Sequence, residues 1–421
     1  MKFVNPFGPL MLSAEDVAQL GDIARVFVAD SIRRYERHVQ DDKRQLDERQ
    51  WRLAKQRERV RVYAEQPLDA RRKCGIDVEV PPPPSKREDG ELTAPVPPPD
   101  LPVLLVVGAV DGELDDAMYG VMNPTLDSMR IKSSYVQDNV VNAAVLATLV
   151  EPTEQEPFHS LTLKWMENGQ PALVRPLVKN RDFVYLECTG MATLSNGERV
   201  GYHLLHSINF SLTPELENRV RGSMSVCGIY RQQTYNTVDV YVRAVLNPGG
   251  QIKRSLVVKS AADALVSAWK NVECGKRKKI AWLIKTRRGV SRKLAEKLLS
   301  QSRRGTEVDQ PGSEVAEDCC IVCQIPPRRM SFGASSSAPS KRRCRLCLHY
   351  VCNSCKLKKQ LSFLTLDGQL LQPELRLCPA CLTDAERANA TAIAKEELSF
   401  RDHYSDPRVY LSPESSTHSD Q

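Results

Sequence analysis

Eight cysteines between residues 320 and 381 fall into four Cys-x-x-Cys pairs: Cys320/Cys323, Cys344/Cys347, Cys352/Cys355 and Cys378/Cys381. The chain has 13 cysteines in all, so this one stretch holds most of them. A Cys-x-x-Cys turn presents two thiolates on one side of a tight loop, where both reach the same tetrahedral ion. Eight thiolates satisfy two such ions. The stretch carries few large apolar side chains and is too short to bury a self-sufficient core. A structural zinc supplies on the order of 10 kcal/mol, because the unfolded chain has no preformed site. Two Zn2+ ions on these cysteines are therefore expected. The alternative, disulfides, needs an oxidising compartment. The start, MKFVNPFGPLML, has no continuous apolar stretch and no small-residue cleavage site, so the reading is a soluble cytoplasmic chain with reduced thiols.

The elements that position these pairs come earlier in the chain. At 421 residues with 41% hydrophobic content there is room for more than one domain and a sizeable core. No apolar run reaches membrane-spanning length. The net charge is only +7, so where charge lies matters more than its sum. Ser13 with Asp16 reads as a capping box, and Val17, Leu20, Ile23, Ala24 and Phe27 recur at helical spacing. Residues 31–66 are highly charged with almost no Gly or Pro, and Val39, Leu46, Leu53 and Val60 lie seven apart. A helical region over residues 1–80 is expected: a long solvated helix or, alternatively, a homodimerising coiled coil with half an apolar seam. Prolines at 81–84 and 95–102 predict a stiff, extended linker over residues 81–102.

Residues 103–274 form the largest block. Alternating or apolar runs at Leu161–Trp165, Phe183–Cys188, Val200–Ile208, Met224–Tyr230 and Thr237–Leu246 predict strands. Asn168-Gly169, Ser195-Asn196-Gly197 and Pro248-Gly249-Gly250 mark turns between them. A helix over Leu114–Met129 precedes the strands and another over Ser255–Asn271 follows. The class is α+β, a curved antiparallel sheet with a long C-terminal helix, a form that encloses a cavity. His203 and His206 fall on opposite faces of a strand, which is poor for a shared metal, and Cys188 and Cys227 read as buried apolar cysteines. No nucleophile elbow, phosphate-cradling glycine loop or supported carboxylate pair occurs, so a non-enzymatic role is expected.

This block resembles the START (StAR-related lipid transfer) domain. Arg181-Asp182-Phe183-Val184-Tyr185-Leu186 is similar to the family's RDfvy strand, Trp165 sits in the preceding strand, and Asn247-Pro248-Gly249-Gly250 is similar to its DPxG turn. The Leu256–Asn271 helix stands where the family's cavity lid does. The resemblance implies a helix-grip fold holding one lipid or other hydrophobic ligand. Read without the resemblance, Arg181-Asp182 is a structural ion pair. Residues 275–318 form a basic linker: Lys276 to Arg304 holds twelve Lys or Arg against Glu296 alone, interleaved with Trp282, Leu283 and Ile284. A membrane-surface helix, a nucleic-acid or nuclear-import element and a solvated linker all fit that pattern. Nucleic acid is the least favoured partner of the whole chain.

The cysteine order over residues 319–383 resembles the FYVE zinc finger. That resemblance implies cross-bracing: Cys320, Cys323, Cys352 and Cys355 on one zinc, and Cys344, Cys347, Cys378 and Cys381 on the other, with Cys319 an alternative first ligand. Ser340-Lys341-Arg342-Arg343-Cys344-Arg345 stands at the family's R-(R/K)-H-H-C-R motif, and Arg376-Leu377-Cys378 at its R-V-C motif. Lys341, Arg342, Arg343, Arg345 and Arg376 are thereby implied to bind phosphatidylinositol 3-phosphate on an endosomal membrane. Both motif histidines are arginines here, the N-terminal W-x-x-D is absent, Leu348 replaces a glycine, and residues 324–343 form an expanded loop with a Ser/Ala stretch at Ser335 to Ser337. Arginines still bind phosphate bidentately. Residues 384–421 read as a helix (Asp384–Glu397) and a Ser-rich disordered tail. The order of modules is that of START–FYVE proteins abundant in oomycetes. The expected function is a non-enzymatic lipid-binding protein, peripheral on endosomal membrane. The alternatives are a zinc-dependent protein scaffold and a RING-type ubiquitin ligase, in which His349 is a ligand and Cys344 is idle.

Overall fold

The computed structural model describes residues 3–8, 10–73, 101–169, 179–302, 319–326 and 342–399. The proline linker from 81 to 100, Ser335 to Ser337, Lys341 and the tail beyond 399 lie outside them. The chain divides into two compact units, Met1–Gly275 and Lys276–Gln421.

In the first unit, helix α1 (Ala14–Gln40) starts at the expected capping box. The Ser13 hydroxyl accepts from the Asp16 amide at 3.1 Å, and the Asp16 carboxylate accepts from the Ser13 amide at 2.8 Å. The helix lies on a 10-stranded sheet ordered β1-β2-β3-β10-β9-β7-β6-β5-β4, with β8 pairing β6 in parallel. The strands are β1 (Trp51–Arg57), β2 (Val60–Glu65), β3 (Val103–Asp111), β4 (Val140–Val150), β5 (Ser160–Asn168), β6 (Asn180–Thr193), β7 (Arg199–Ser207), β8 (Arg219–Arg221), β9 (Ser223–Thr234) and β10 (Thr237–Asn247). All five expected strands are present, as parts of β5, β6, β7, β9 and β10, with Ile208 alone lying one residue beyond the end of β7.

Residues 1–80 depart from the helical expectation. After α1 the chain turns, and β1 and β2 form an antiparallel hairpin that joins the sheet through β3. Val60, Val62 and Ala64 alternate inward and are buried, which sets a period of two rather than 3.6. Of the four heptad positions, Val39 alone is helical; Leu46 lies in a loop and Leu53 and Val60 lie in strands. No coiled-coil seam runs through them. The short helix α2 (Leu68–Lys73) follows.

Side-chain alternation gives the sheet two faces. Leu186, Leu204, Ile229 and Tyr241 pack against Leu20, Ala24 and Tyr35 of α1. The other face meets α3 (Leu114–Val121), whose Met118 closes on Gly201 of β7. The single helix expected over 114–129 is two, α3 and α4 (Leu126–Val136), because Asn123-Pro124 interrupts it and Thr125 opens a new capping box with Ser128. Helix α5 (Arg254–Leu265) passes through a 3-10 turn (Val266–Lys270) into α6 (Asn271–Ser302). Gly120 of α3 and Gly275 of α6 allow a close crossing: a Cβ on Gly120 would sit 1.9 Å from the Asn271 carbonyl oxygen, and one on Gly275 1.9 Å from that of Asp116.

The second unit contains small two-stranded sheets, β11 (Leu357–Gln360) with β14 (Glu374–Leu377) and β12 (Phe363–Leu364) with β13 (Leu370–Leu371), then α7 (Pro379–Arg387) and α8 (Ala390–Ser399). Its core gathers Leu346, Val351, Leu361, Phe363, Leu375 and Leu377 around the cysteines, with Ile280 and Ile284 of α6.

Gly120→Ala and Gly275→Ala are each expected to destabilise the protein by about 3 kcal/mol, by forcing apart backbone that cannot yield. Gly21→Ala, in α1 with nothing within 4 Å of its new Cβ, should instead stabilise by about 0.5–1 kcal/mol. Denaturant unfolding of the three variants checks both signs.

Candidate metal centres and the basic face around them

Each cysteine pair is shaped by backbone before any ion is considered. In the first knuckle the Gln324 amide donates to the Cys320 carbonyl at 2.8 Å, and Gln324 takes a left-handed φ of 57°. In the second, the Leu348 amide donates to the Cys344 carbonyl at 3.0 Å and Leu348 has φ of 64°. A left-handed side-chain-bearing residue costs roughly 1–2 kcal/mol, so something must hold both turns. The fourth pair opens α7: Cys378 is its N-cap, accepting from the Cys381 amide at 3.4 Å, with Pro379 in the first turn.

The pairs assemble as first with third and second with fourth. Cys320, Cys323, Cys352 and Cys355 form one cluster, and Cys344, Cys347, Cys378 and Cys381 the other, with all sulfurs of a cluster within 4.8 Å of one another. The Cys323 and Cys352 sulfurs are 3.8 Å apart, and those of Cys347 and Cys378 are 4.0 Å apart. Tetrahedral zinc with Zn–S bonds of about 2.3 Å requires sulfur separations of about 3.8 Å. Burial pushes the Cys320 thiol up, but the amides of Cys352, Cys323 and Val322 outweigh it and bring it down to about 6. A hydrogen bond from Cys347, with the amides of Cys347, Cys378 and Leu346, brings the Cys344 thiol down to about 4. Each cluster could hold one metal ion, and its donors suit zinc. Cys320, not Cys319, lies in the cluster. Cys344 lies inside a cluster and His349 outside both, so the ligand set of the ubiquitin-ligase pattern is not assembled among the described residues.

The basic residues divide. Lys341 lies outside the described residues. The Arg343 guanidinium donates to the Leu348 carbonyl at 3.0 Å and so braces the strained knuckle. Arg345 is anchored beside Arg376 by its amide, which donates to the Arg376 carbonyl at 2.9 Å. Arg376 donates from Nη1 to the Val351 carbonyl at 2.8 Å and from Nη2 to Asn353 Oδ1 at 3.2 Å. Lys356 Nζ donates to the same Asn353 oxygen at 3.0 Å. Burial, and then the charge of Arg342, lower the Arg376 pKa. Lys356 was missed in the sequence, although it directly follows Cys355. Its relation to Arg376 appears only when β11 pairs with β14, which sets Lys358 opposite Arg376. Lys358 is itself paired with Glu374. Next to this group, Ile321, Val322 and Ile325 of the first knuckle are exposed. The Ile321 amide donates to the Tyr350 carbonyl at 3.0 Å, and the Val351 amide to the Arg342 carbonyl at 2.9 Å, so the apolar knuckle and the basic segment are both bonded to the Tyr350-Val351 backbone.

Helix α6 does not offer Trp282, Leu283 and Ile284 as a membrane face. Ile284 is in the core of the second unit, Leu283 packs against it, and Trp282 Nε1 donates to Glu396 at 3.0 Å. Lys279 Nζ donates to the Glu386 and Ala388 carbonyls at 2.6 and 2.7 Å, a cation at the C-terminal end of α7.

In the first unit the face under the helices carries a buried polar centre. Lys164 of β5 donates to Asn123 Oδ1 at 2.6 Å and to its carbonyl at 2.5 Å, and is paired with Glu187 of β6. The other Glu187 oxygen lies 2.6 Å from His203 Nε2, and Lys132 stands 3.8 Å from the same oxygen. Burial pushes the Glu187 carboxyl up, but Lys164, Lys132 and His203 together hold it far below the usual range. Burial, with Lys132, lowers the His203 pKa. The hydroxyl oxygen of Thr162, also buried, has no hydrogen-bond partner. Arg181 and Asp182 do not pair. Asp182 accepts from Arg221 at 3.0 and 2.8 Å and from Trp165 Nε1 at 2.9 Å, while Arg181 reaches the carbonyls of Pro248 and Lys179. Successive residues of a strand face opposite ways, which separates the two.

No protein-family model and no curated protein matches the chain. Among solved structures it is similar to human StAR-related lipid transfer protein 5, at 14% identity and TM-score 0.40, covering 62% of this chain and 97% of that one. Human STARD10 is similar at 14% identity and TM-score 0.36, covering 62% and 80%. The STAR-related lipid transfer protein of Xanthomonas axonopodis is similar at 17% identity and TM-score 0.35, covering 53% and 96%.

Metal analysis of the purified chain should return two zinc ions. Cys320→Ser or Cys344→Ser should each lower the count to one or fewer, while Cys319→Ser and His349→Ala should leave it at two. Glu187→Gln, which leaves Lys164 buried without its counter-charge, should cost about 3–5 kcal/mol. Because the Glu187 pKa is depressed on folding, its contribution is complete above the usual carboxylate range and is lost as pH falls below it. Urea unfolding of wild type and Glu187→Gln should therefore converge on acidification.

Proposed function

We propose that the protein is a non-enzymatic membrane-docking protein whose second unit is a two-zinc finger of the FYVE type that engages phosphoinositide-containing membrane. The observation that carries the reading is the junction of exposed Ile321, Val322 and Ile325 with the cationic group of Arg342, Lys356 and Arg376. A bilayer surface offers both matching chemistries, an apolar layer beneath an anionic one. Each cation near an anionic leaflet contributes about 1 kcal/mol, so these three alone support binding of only about 5–10 mM, and the inserted knuckle adds to it. The metals hold the knuckle and the cations in one rigid frame.

The first unit, in this reading, holds a lipid or other hydrophobic ligand beneath α3, α4 and α5. The self-paired centre of Lys164, Glu187 and His203 gives that face a polar end within apolar walls. The residues named here supply binding and no reactive group.

Flotation of the full chain on phosphatidylcholine vesicles with and without phosphoinositide tests the docking role. Binding should need the phosphoinositide. It should fall about 25-fold in Arg342→Gln/Arg376→Gln, from two lost cations, and fall again in Ile321→Ser/Val322→Ser/Ile325→Ser, with the zinc count unchanged. Binding indifferent to the lipid and to both variants would defeat the membrane role and leave a protein scaffold. Native mass spectrometry of the same preparation should show one co-purified lipid per chain.

A further inference from the structure

Asn353 lies in the turn between Cys352 and Cys355 of one cysteine cluster, but one of its partners comes from the strand that leads into the other: Arg376 of β14, two residues before Cys378. The Asn353 Oδ1 atom accepts from Arg376 Nη2 at 3.2 Å and from Lys356 Nζ at 3.0 Å. Two like charges thus share one neutral oxygen, against their mutual repulsion. Arg376 is fixed a second time, by the Val351 carbonyl at 2.8 Å. Counter-charge is already present: Glu374 acts on Lys356, and the Cys352 sulfur on Arg376. With a divalent ion bound, four thiolates would leave each cluster anionic as well. The group is electrically supported without a ligand, and its distinguishing feature is the fixed spacing of two donors. A carboxylate in the same place would hold both cations more strongly, but as ion pairs it would consume the charges it positions. An amide holds them and adds no charge. Asn353 is exposed, and its Nδ2 group, with no hydrogen-bond partner among the described residues, remains a donor.

We propose that Asn353 is the positioning residue of the docking site, a neutral bridge that sets Arg376 and Lys356 side by side so that one phosphorylated headgroup of a membrane lipid engages both. This rests on the docking reading above and assigns the residue that gives it selectivity. Two donors that converge on one oxygen also converge on neighbouring oxygens of one phosphate, which takes a bond from each. Arg376, held at two points, offers its remaining N–H groups with little motion left to lose, and Lys356 loses less freedom on binding than an unheld lysine does. A diffuse anionic surface counts cations and is indifferent to their spacing. A phosphomonoester is not, because it gathers its charge at one point. Asn353 therefore governs preference for the phosphorylated headgroup over other anionic lipid, rather than attraction to the membrane as such.

The test floats the full zinc-loaded chain on phosphatidylcholine vesicles containing either phosphatidylinositol monophosphate or phosphatidylserine, at equal total headgroup charge. Asn353→Ala keeps every cation, so it should bind phosphatidylserine vesicles as wild type does and lose about fivefold or more on phosphoinositide vesicles. Asn353→Asp should lose at least about 25-fold on phosphoinositide, whereas Ser354→Asp, which adds the same charge at the exposed neighbouring residue, should lose only about fivefold. Zinc content should stay at the wild-type level in all three. An Asn353→Ala chain that keeps its phosphoinositide affinity overturns the proposal while the docking reading stands, as do equal losses in Asn353→Asp and Ser354→Asp. Loss of zinc in Asn353→Ala, or equal loss on both lipids, assigns the residue to the fold and overturns the proposal too. Wild type that binds the two vesicles equally overturns the proposal and leaves docking as general attraction to anionic lipid. Wild type that binds neither overturns both readings.

Discussion

Sulfur atoms at about the spacing of a tetrahedron's edges govern the second unit. Cross-bracing means that neither cluster is made from adjacent pairs, so an ion in either would tie together segments that the chain separates. The segment carrying Arg342 and Arg343 runs directly into Cys344 of one cluster, and the turn carrying Asn353 lies between Cys352 and Cys355 of the other. A cation placed two residues from a clamped sulfur has little freedom to drift. The left-handed backbone at Gln324 and Leu348 is tolerable for the same reason: strain local to a turn persists where its surroundings are over-determined. Arg343 contributes to that determination by bonding the Leu348 carbonyl. Its charge is thereby partly structural.

The first unit solves a different problem. Its sheet has both faces covered, and the face under the helices includes charges that water cannot reach. Lys164, Glu187 and His203 compensate one another and use Asn123 to satisfy the remaining donors. On the opposite face Tyr35 of α1 donates to Asp239 at 2.5 Å, and Arg44 reaches the same carboxylate at 2.8 Å. Buried ionic groups of this kind add little net stability over apolar packing, but leaving one partner alone is expensive. They therefore fix register: a strand slipped by one residue would turn Glu187 away from Lys164 and strand both.

The cysteine pairs were readable because ligand spacing is a local property of sequence; their pairing as first with third and second with fourth was implied only by the resemblance to a known finger. Also readable were strands β5, β6, β7, β9 and β10, whose alternation is bounded by glycine-bearing turns. The β1–β2 hairpin was not, because its turn is Glu58-Arg59, with Glu58 at φ of 52° and no Gly or Asn to announce it. High charge on its outward positions imitated a solvated helix. The Arg181–Asp182 pair failed for a geometric reason: the true partner, Arg221, lies thirty-nine residues on and meets Asp182 only through the β6–β8 pairing. Lys356 was hidden in the same way, by a strand register that sequence spacing does not encode. In α6, the apolar residues Ile280, Leu283 and Ile284 belong to the core of the second unit and not to an outside surface.

The placement of β2 beside β3 bears on how the chain can change over time. Residues 60–64 pair with residues 104–108, so everything between them is a closed excursion from one strand to its immediate neighbour. The entropy of closing such an excursion grows only with the logarithm of its length, about 0.6 kcal/mol per doubling. Insertions or deletions between Lys73 and Leu101 thus alter the sheet's stability very little. That segment is free to diverge in composition and length while the hairpin it tethers remains bound to the same edge.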